Sequence, residues 1–135
     1  MKIELDMSPE NAYYYAVKVL KKPFPEGEIV IATSADWSYQ YAKYVLKKTF
    51  PLGEAAIATS AAYSYRYARF VIDGRFPLGE AAIATSADWS YNYASLITHV
   101  RFIEAEKVIS TNKEIWKNYK SLFGIKNKKN IDKVS

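Results

Sequence analysis

The sequence predicts an all-α protein, an α-solenoid of stacked helix-turn-helix units with a 26-residue period, capped at both ends. Three observations carry this. One phrase is written three times in succession, KPFPEGEIVIATSADWSYQYAKYVLK at 22–47, KTFPLGEAAIATSAAYSYRYARFVID at 48–73 and GRFPLGEAAIATSADWSYNYASLITH at 74–99. A helix-capping residue falls in register in five successive units, as Ser8, Ser34, Ser60, Ser86 and Asn112. After each cap the apolar residues cover an unusually wide helical arc, as expected of a unit with neighbours on several sides. A period of this length marks a structure whose units are too small to bury their own apolar side and are covered by stacking.

The first unit, 1–21, is partial: it has MKIELDM where the others have Phe-Pro-x-Gly-Glu. Ser8 is followed by Pro9 and Glu10, and Pro is favoured at the first helical position because its missing N–H costs nothing there. Glu10, Asp36, Asp88 and Glu114 stand two places after their caps, at the positive end of the helix dipole. In the complete units, 22–47, 48–73 and 74–99, Pro25/Gly27, Pro51/Gly53 and Pro77/Gly79 punctuate the start of a shorter half. The alanines of EAAIAT favour a second helix of about two turns there. A strand is the alternative, as in leucine-rich repeats, but the leucine ladder of that plan is missing. The glycines are read as relaxing a turn.

The longer half of each unit winds as a helix from Ala35 to Lys47 and its equivalents. At about 100° per residue, Ala35, Tyr39, Ala42 and Leu46 share one side, and Trp37, Tyr41 and Tyr44 another. Ser38, Ser64 and Ser90 are small enough to let a neighbour come close. The last unit, 100–125, is a degenerate cap in which Lys113, Lys117 and Lys120 replace packing positions, so that the end faces water. Residues 126–135 read as a basic flexible tail.

The chain has 135 residues, 50% of them apolar, and no cysteine, so it has no disulfide framework, thiolate metal site or thiol nucleophile. Its net charge is +5, but 11 Lys and Arg stand against 12 Asp and Glu up to Glu106, so the excess lies from Lys107 onward, where 8 Lys stand against 2 acids. A basic groove along the whole stack is not expected from that composition. The acidic start and the absence of a long apolar run predict a cytoplasmic protein without a membrane partner.

The pattern Tyr-Ala-x-x-Val-Leu-Lys-x-x-Phe-Pro-x-Gly-Glu-x-x-Ile-Ala-Thr-Ser-Ala, carried by Tyr41 to Lys47 and Phe50 to Ala61, resembles short tandem repeats in uncharacterised proteins of tailed bacteriophages and some bacteria. The likeness covers about four fifths of the chain. It implies an all-helical repeat protein of phage origin and carries over no functional residue. A phage product of this kind would reside in the host cytoplasm and act as a modulator or inhibitor of a host protein.

No catalytic constellation emerges. Glu28, Glu54, Glu80 and Glu106 recur once per unit, roughly 10 Å apart, too far to share a metal. They are read as structural, at the start of the shorter helix. The Thr33-Ser34, Thr59-Ser60 and Thr85-Ser86 pairs lack a recurring base, and His99 lacks a nucleophile and an orienting acid. The expected function is a non-enzymatic macromolecular interaction module that binds a protein and needs no cofactor or metal. Positions that vary between copies are read as its outward strip: Asp36/Ala62/Asp88, Gln40/Arg66/Asn92, Lys43/Arg69/Ser95 and Lys47/Asp73/His99. The columns Trp37/Tyr63/Trp89 and Tyr41/Tyr67/Tyr93 are read as mortar between units, with the edges of Trp37, Tyr63 and Trp89 open to a partner. The alternative is nucleic-acid binding, with Lys126, Lys128, Lys129 and Lys133 on phosphates and the exposed aromatics on bases. Whether copies of the chain pair stays open.

Overall fold

The computed structural model describes residues 7–126, so the tail lysines Lys128, Lys129 and Lys133 lie outside the described residues. Nine helices follow one another, and no strand occurs among the described residues. Long helices α1 (9–20), α3 (35–46), α5 (61–72), α7 (87–98) and α9 (Lys113–Phe123) alternate with short helices α2 (25–31), α4 (51–57), α6 (77–83) and α8 (103–109). The shorter half of every unit is therefore helical, a 3₁₀ turn leading into one α-turn. Like halves of successive long helices meet, so these helices lie parallel in one layer, while the short helices form a second. This is the predicted α-solenoid.

Each long helix begins where its cap requires. Ser8, Ser34, Ser60 and Ser86 accept the amide N–H three residues on, at 3.1–3.2 Å, and the Asn112 carbonyl oxygen does the same at 3.0 Å. The threonine before each internal serine is also accounted for. Thr33, Thr59 and Thr85 each donate to a carbonyl three residues back, at 2.7 Å, closing the preceding short helix.

The four helices α1, α3, α5 and α7 change winding partway. Their last turns, such as Tyr41–Leu46, are π-helical, and each ends on a residue in the left-handed region: Lys21, Lys47, Asp73 and His99, φ 56–60°. In α3 the carbonyl of Ala42 receives the N–H of both Lys47 and Lys48. The wider turn advances less than 100° per residue, which re-aims every side chain beyond Tyr41.

A buried tyrosine ties each unit together. Tyr41, Tyr67, Tyr93 and Tyr119 are at most 1% exposed. Each phenol donates to the glutamate of the preceding short helix, Glu28, Glu54, Glu80 and Glu106 respectively. It also accepts the backbone N–H of Phe24, Phe50, Phe76 or Phe102 at 2.8–3.0 Å. The glutamates are thus structural, as expected, but through a phenol as well as through the helix dipole. Burial first, then the carboxylate, pushes the Tyr67 phenol well above its ordinary range, and the same causes raise Tyr93 and Tyr119 to about 12. In the last two units Arg75 and Arg101 clamp the same glutamates in two-pronged pairs at 2.7–2.9 Å, which lowers the Glu80 and Glu106 carboxyls.

Between units the seam is small and tight. Ser38, Ser64 and Ser90 are fully buried, and each donates to the carbonyl of Ile31, Ile57 or Ile83 at 2.8–3.0 Å. A Cβ on Gly53 would stand 2.5 Å from the Ser38 hydroxyl, and one on Gly79 would meet Ser64 in the same way. These glycines have φ near −95°, an ordinary helical value, so close approach and not turn freedom is their reason. The expectation that they relax a turn is thereby corrected: each closes an ordinary 3₁₀ turn, and the serine across the seam is what excludes a side chain. Phe50 and Phe76 then lie on Tyr41 and Tyr67 of the unit before, at 5.1 and 5.0 Å between ring centres.

A candidate interaction face on the long helices

The column Trp37, Tyr63 and Trp89 is mortar between units, as the repeat predicts, and only ring edges are left for a partner. Trp37 lies 5.2 Å from Tyr13, Tyr63 5.8 Å from Tyr39 and Trp89 5.2 Å from Tyr65, each pair bridging consecutive long helices. All three outer rings are half-buried. The predicted strip runs beside them. Arg66 lays its guanidinium over both Tyr63 and Trp89, at 5.1 and 5.7 Å, and the Gln40 amide donates to Asp36 at 3.3 Å. Asn92, the third member of that column, is half-buried on α7. Arg69 is exposed and donates to the Tyr65 hydroxyl at 2.7 Å. Lys126, the one tail lysine within the described residues, is exposed.

A second column stands next to this strip. Tyr44, Phe70, Leu96 and Leu122 are 54%, 50%, 48% and 50% exposed, one per unit, in register along α3, α5, α7 and α9. Apolar side chains left half in water at the same place in every unit from α3 onward, where α1 has Lys18, are a feature that burial in the stack does not explain. The cations of the strip lean onto them. The Lys43 ammonium sits 5.0 Å from the Tyr44 ring centre and 4.7 Å from that of Phe70, and the Arg69 guanidinium is 5.2 Å from Phe70. The two rings bridged by Lys43 therefore lie within about 10 Å of each other, the ordinary spacing of packed helices.

Clefts open beside the column, between the ends of neighbouring long helices. The one between α1 and α3 holds about 260 Å³ and is lined by Ala16, Val17, Lys21, Lys22, Tyr44, Val45 and Lys47. Its counterpart between α5 and α7 brings together Arg69, Asp73, Leu96 and His99. Three lysines and no acid line the first, whereas the other balances Arg69 with Asp73. The edge is therefore basic and aromatic at its start and nearly neutral and aliphatic further on. The near-zero charge of residues 1–106 hides this, because the carboxylates Glu28, Glu54, Glu80 and Glu106 belong to the short-helix layer.

Sequence periodicity missed the column because a uniform 100° wheel places Tyr44 with Trp37 and Tyr41, on a packing side. The π-helical turn carries it out to solvent. A signal was nevertheless present, since from the second unit onward this position changes from Tyr to Phe to Leu while staying apolar, unlike the invariant tyrosines of the seam.

Among the described residues no three His, Asp or Glu side chains gather in a way that would hold a metal ion, and no helix is long and apolar enough to cross a membrane. Comparison of the chain with models of protein families, with curated proteins and with solved structures gave no match in any of the three.

Proposed function

We propose that this chain is a non-enzymatic interaction module that binds a protein through the outer face of its long helices. The observation that supports it is the half-exposed column Tyr44, Phe70, Leu96 and Leu122, which every unit from α3 onward repeats and which the core leaves half in water. Packing fixes the seam residues, and the positions released from packing are the varied strip and this column. Aromatic and arginine side chains on an otherwise polar face are the composition that binding surfaces favour. The resemblance of the repeat to those of tailed phages makes a bacterial host protein the partner class to screen.

Nucleic-acid binding draws support from the cations lying over exposed rings. Against it, the column turns to leucine in its last two units, and leucine offers no face on which a base can stack.

Capture from bacterial lysate tests the reading. The wild-type chain is compared with a Tyr44→Ser/Phe70→Ser/Leu96→Ser variant and with a Gln40→Glu/Lys43→Glu/Arg66→Glu variant. A retained protein should be lost with the first and weakened with the second. Equal capture by all three chains removes this face from the account.

A further inference from the structure

The charge and spacing of the column specify what kind of segment fits it. This step rests on the reading of the long-helix face as a protein-binding surface. Consecutive anchors sit on neighbouring long helices, α3, α5 and α7, whose axes pack about 8–10 Å apart. On an α-helix, residues seven apart share a face and are separated by about 10.5 Å. On a strand, residues sharing a face recur at about 6.6 Å and then about 13 Å, which keep step with that axis spacing less well over three helices. A helix laid across the long helices can therefore place one apolar side chain at each of Tyr44, Phe70 and Leu96.

The polar surroundings then set its charge. Lys21, Lys22 and Lys47 line the cleft beside Tyr44, Lys43 lies between the first two anchors, and Arg69 stands at the second. Asp73 is the acid at this edge, beside the third anchor. We infer that the face binds an acidic amphipathic helix, with apolar residues at i, i+7 and i+14 on the column and carboxylates concentrated at the end that meets α1 and α3.

A second copy of the chain does not supply this ligand. None of its described helices is as long as the 15 residues that i, i+7 and i+14 span, and its glutamate column is already engaged by the phenols of Tyr41, Tyr67, Tyr93 and Tyr119. The exposed positions Leu52 and Leu78 of the short helices carry no matching row of acids.

The test uses the full chain and a synthetic helical peptide of about 21 residues, with leucine at every seventh place and glutamate flanking the first two leucines. Binding is followed by fluorescence anisotropy. Saturable binding is expected, weakened at least about tenfold by Phe70→Ser/Leu96→Ser and by Lys43→Glu/Arg69→Glu. It should weaken as salt rises from about 0.05 to about 0.5 M, since the cations are exposed. A peptide with lysine in place of glutamate should not bind. All four substituted side chains are at least partly exposed, so circular dichroism should show an unchanged fold.

No binding of the acidic peptide, or equal binding by the wild type and both variants, overturns the inference. So does displacement of the peptide by an oligothymidylate, or self-association in light scattering that Phe70→Ser abolishes. Lysate capture separates the two levels of argument. If capture depends on Phe70 and Leu96 while the peptide neither binds nor competes, the acidic helix is wrong and the binding face stands. If capture ignores the column as well, both fall.

Discussion

Replacing Tyr67 by phenylalanine removes one oxygen from a fully buried position and breaks two hydrogen bonds. The phenol donates to Glu54 at 2.6 Å and accepts the Phe50 N–H at 2.8 Å. Loss of the first deprives a carboxylate of a charge-assisted partner, worth about 1.5–3 kcal/mol. Loss of the second leaves a buried amide unpaired, at about 1–3 kcal/mol. Glu54 is half-buried and recovers part of its hydration, so the net cost should be about 3 kcal/mol. With a urea dependence of about 2 kcal/mol/M, the midpoint of unfolding should fall by about 1.5 M at unchanged slope. Tyr44→Phe removes the same oxygen from a 54% exposed ring and should change stability by less than about 0.5 kcal/mol. A cost below about 1 kcal/mol for Tyr67→Phe, with the slope unchanged, would refute the view that these tyrosines hold the short helices to the stack.

Three further outcomes follow from the same seam. Gly79→Ala pushes a methyl into Ser64 and the Phe76 ring and should cost about 1–3 kcal/mol in urea unfolding. Ala105→Gly, at the equivalent place in the last unit, should cost less than about 1.5 kcal/mol, the range for losing a methyl and gaining a helix-weakening glycine. There the methyl is already accommodated, and Phe102 stands 5.6 Å from Tyr93 against 5.0 Å for the Phe76–Tyr67 pair. Alkaline pH should unfold the chain through the buried phenols. Their folded values are raised, Tyr93 and Tyr119 to about 12, whereas unfolded tyrosine ionises near 10. The stabilisation is therefore complete below about pH 10 and is lost as pH climbs toward 12, by about 1 kcal/mol per tyrosine at pH 11. Urea midpoints at about pH 9, 10 and 11 check this, and a constant midpoint would exclude it.

The repeat, the five caps and the stacking of Trp37, Tyr63 and Trp89 were legible because each follows from local chemistry or from the period itself. The glutamate column was legible as structural, but not its partner. Tyr41 and Glu28 are 13 residues apart on different helices, and no periodicity links a phenol to an acid across a turn. The glycines misled because Pro-x-Gly reads as a turn signal, whereas their necessity arises from Ser38 and Ser64 on another helix. The outer column failed for a different reason. It depends on the winding of Tyr41–Leu46, and the wheel assumed an α-helix to the end.

That change of winding is also what connects the fold to its proposed use. Up to Tyr41 the long helix directs its rings into the stack, where Tyr39 and Tyr41 are buried; beyond it, Tyr44 emerges half-exposed on the same helix. Had the helix kept α-geometry, position 44 would have turned toward the packing side occupied by Trp37, and its identity would be constrained as tightly as that of Tyr41. Instead Tyr, Phe and Leu occupy it in turn. The seam tolerates no such exchange, because a hydroxyl is needed at every Tyr–Glu contact. Variation confined to apolar types from the second unit onward, at a place the core leaves half in water, is what selection for an apolar contact outside the chain would leave behind.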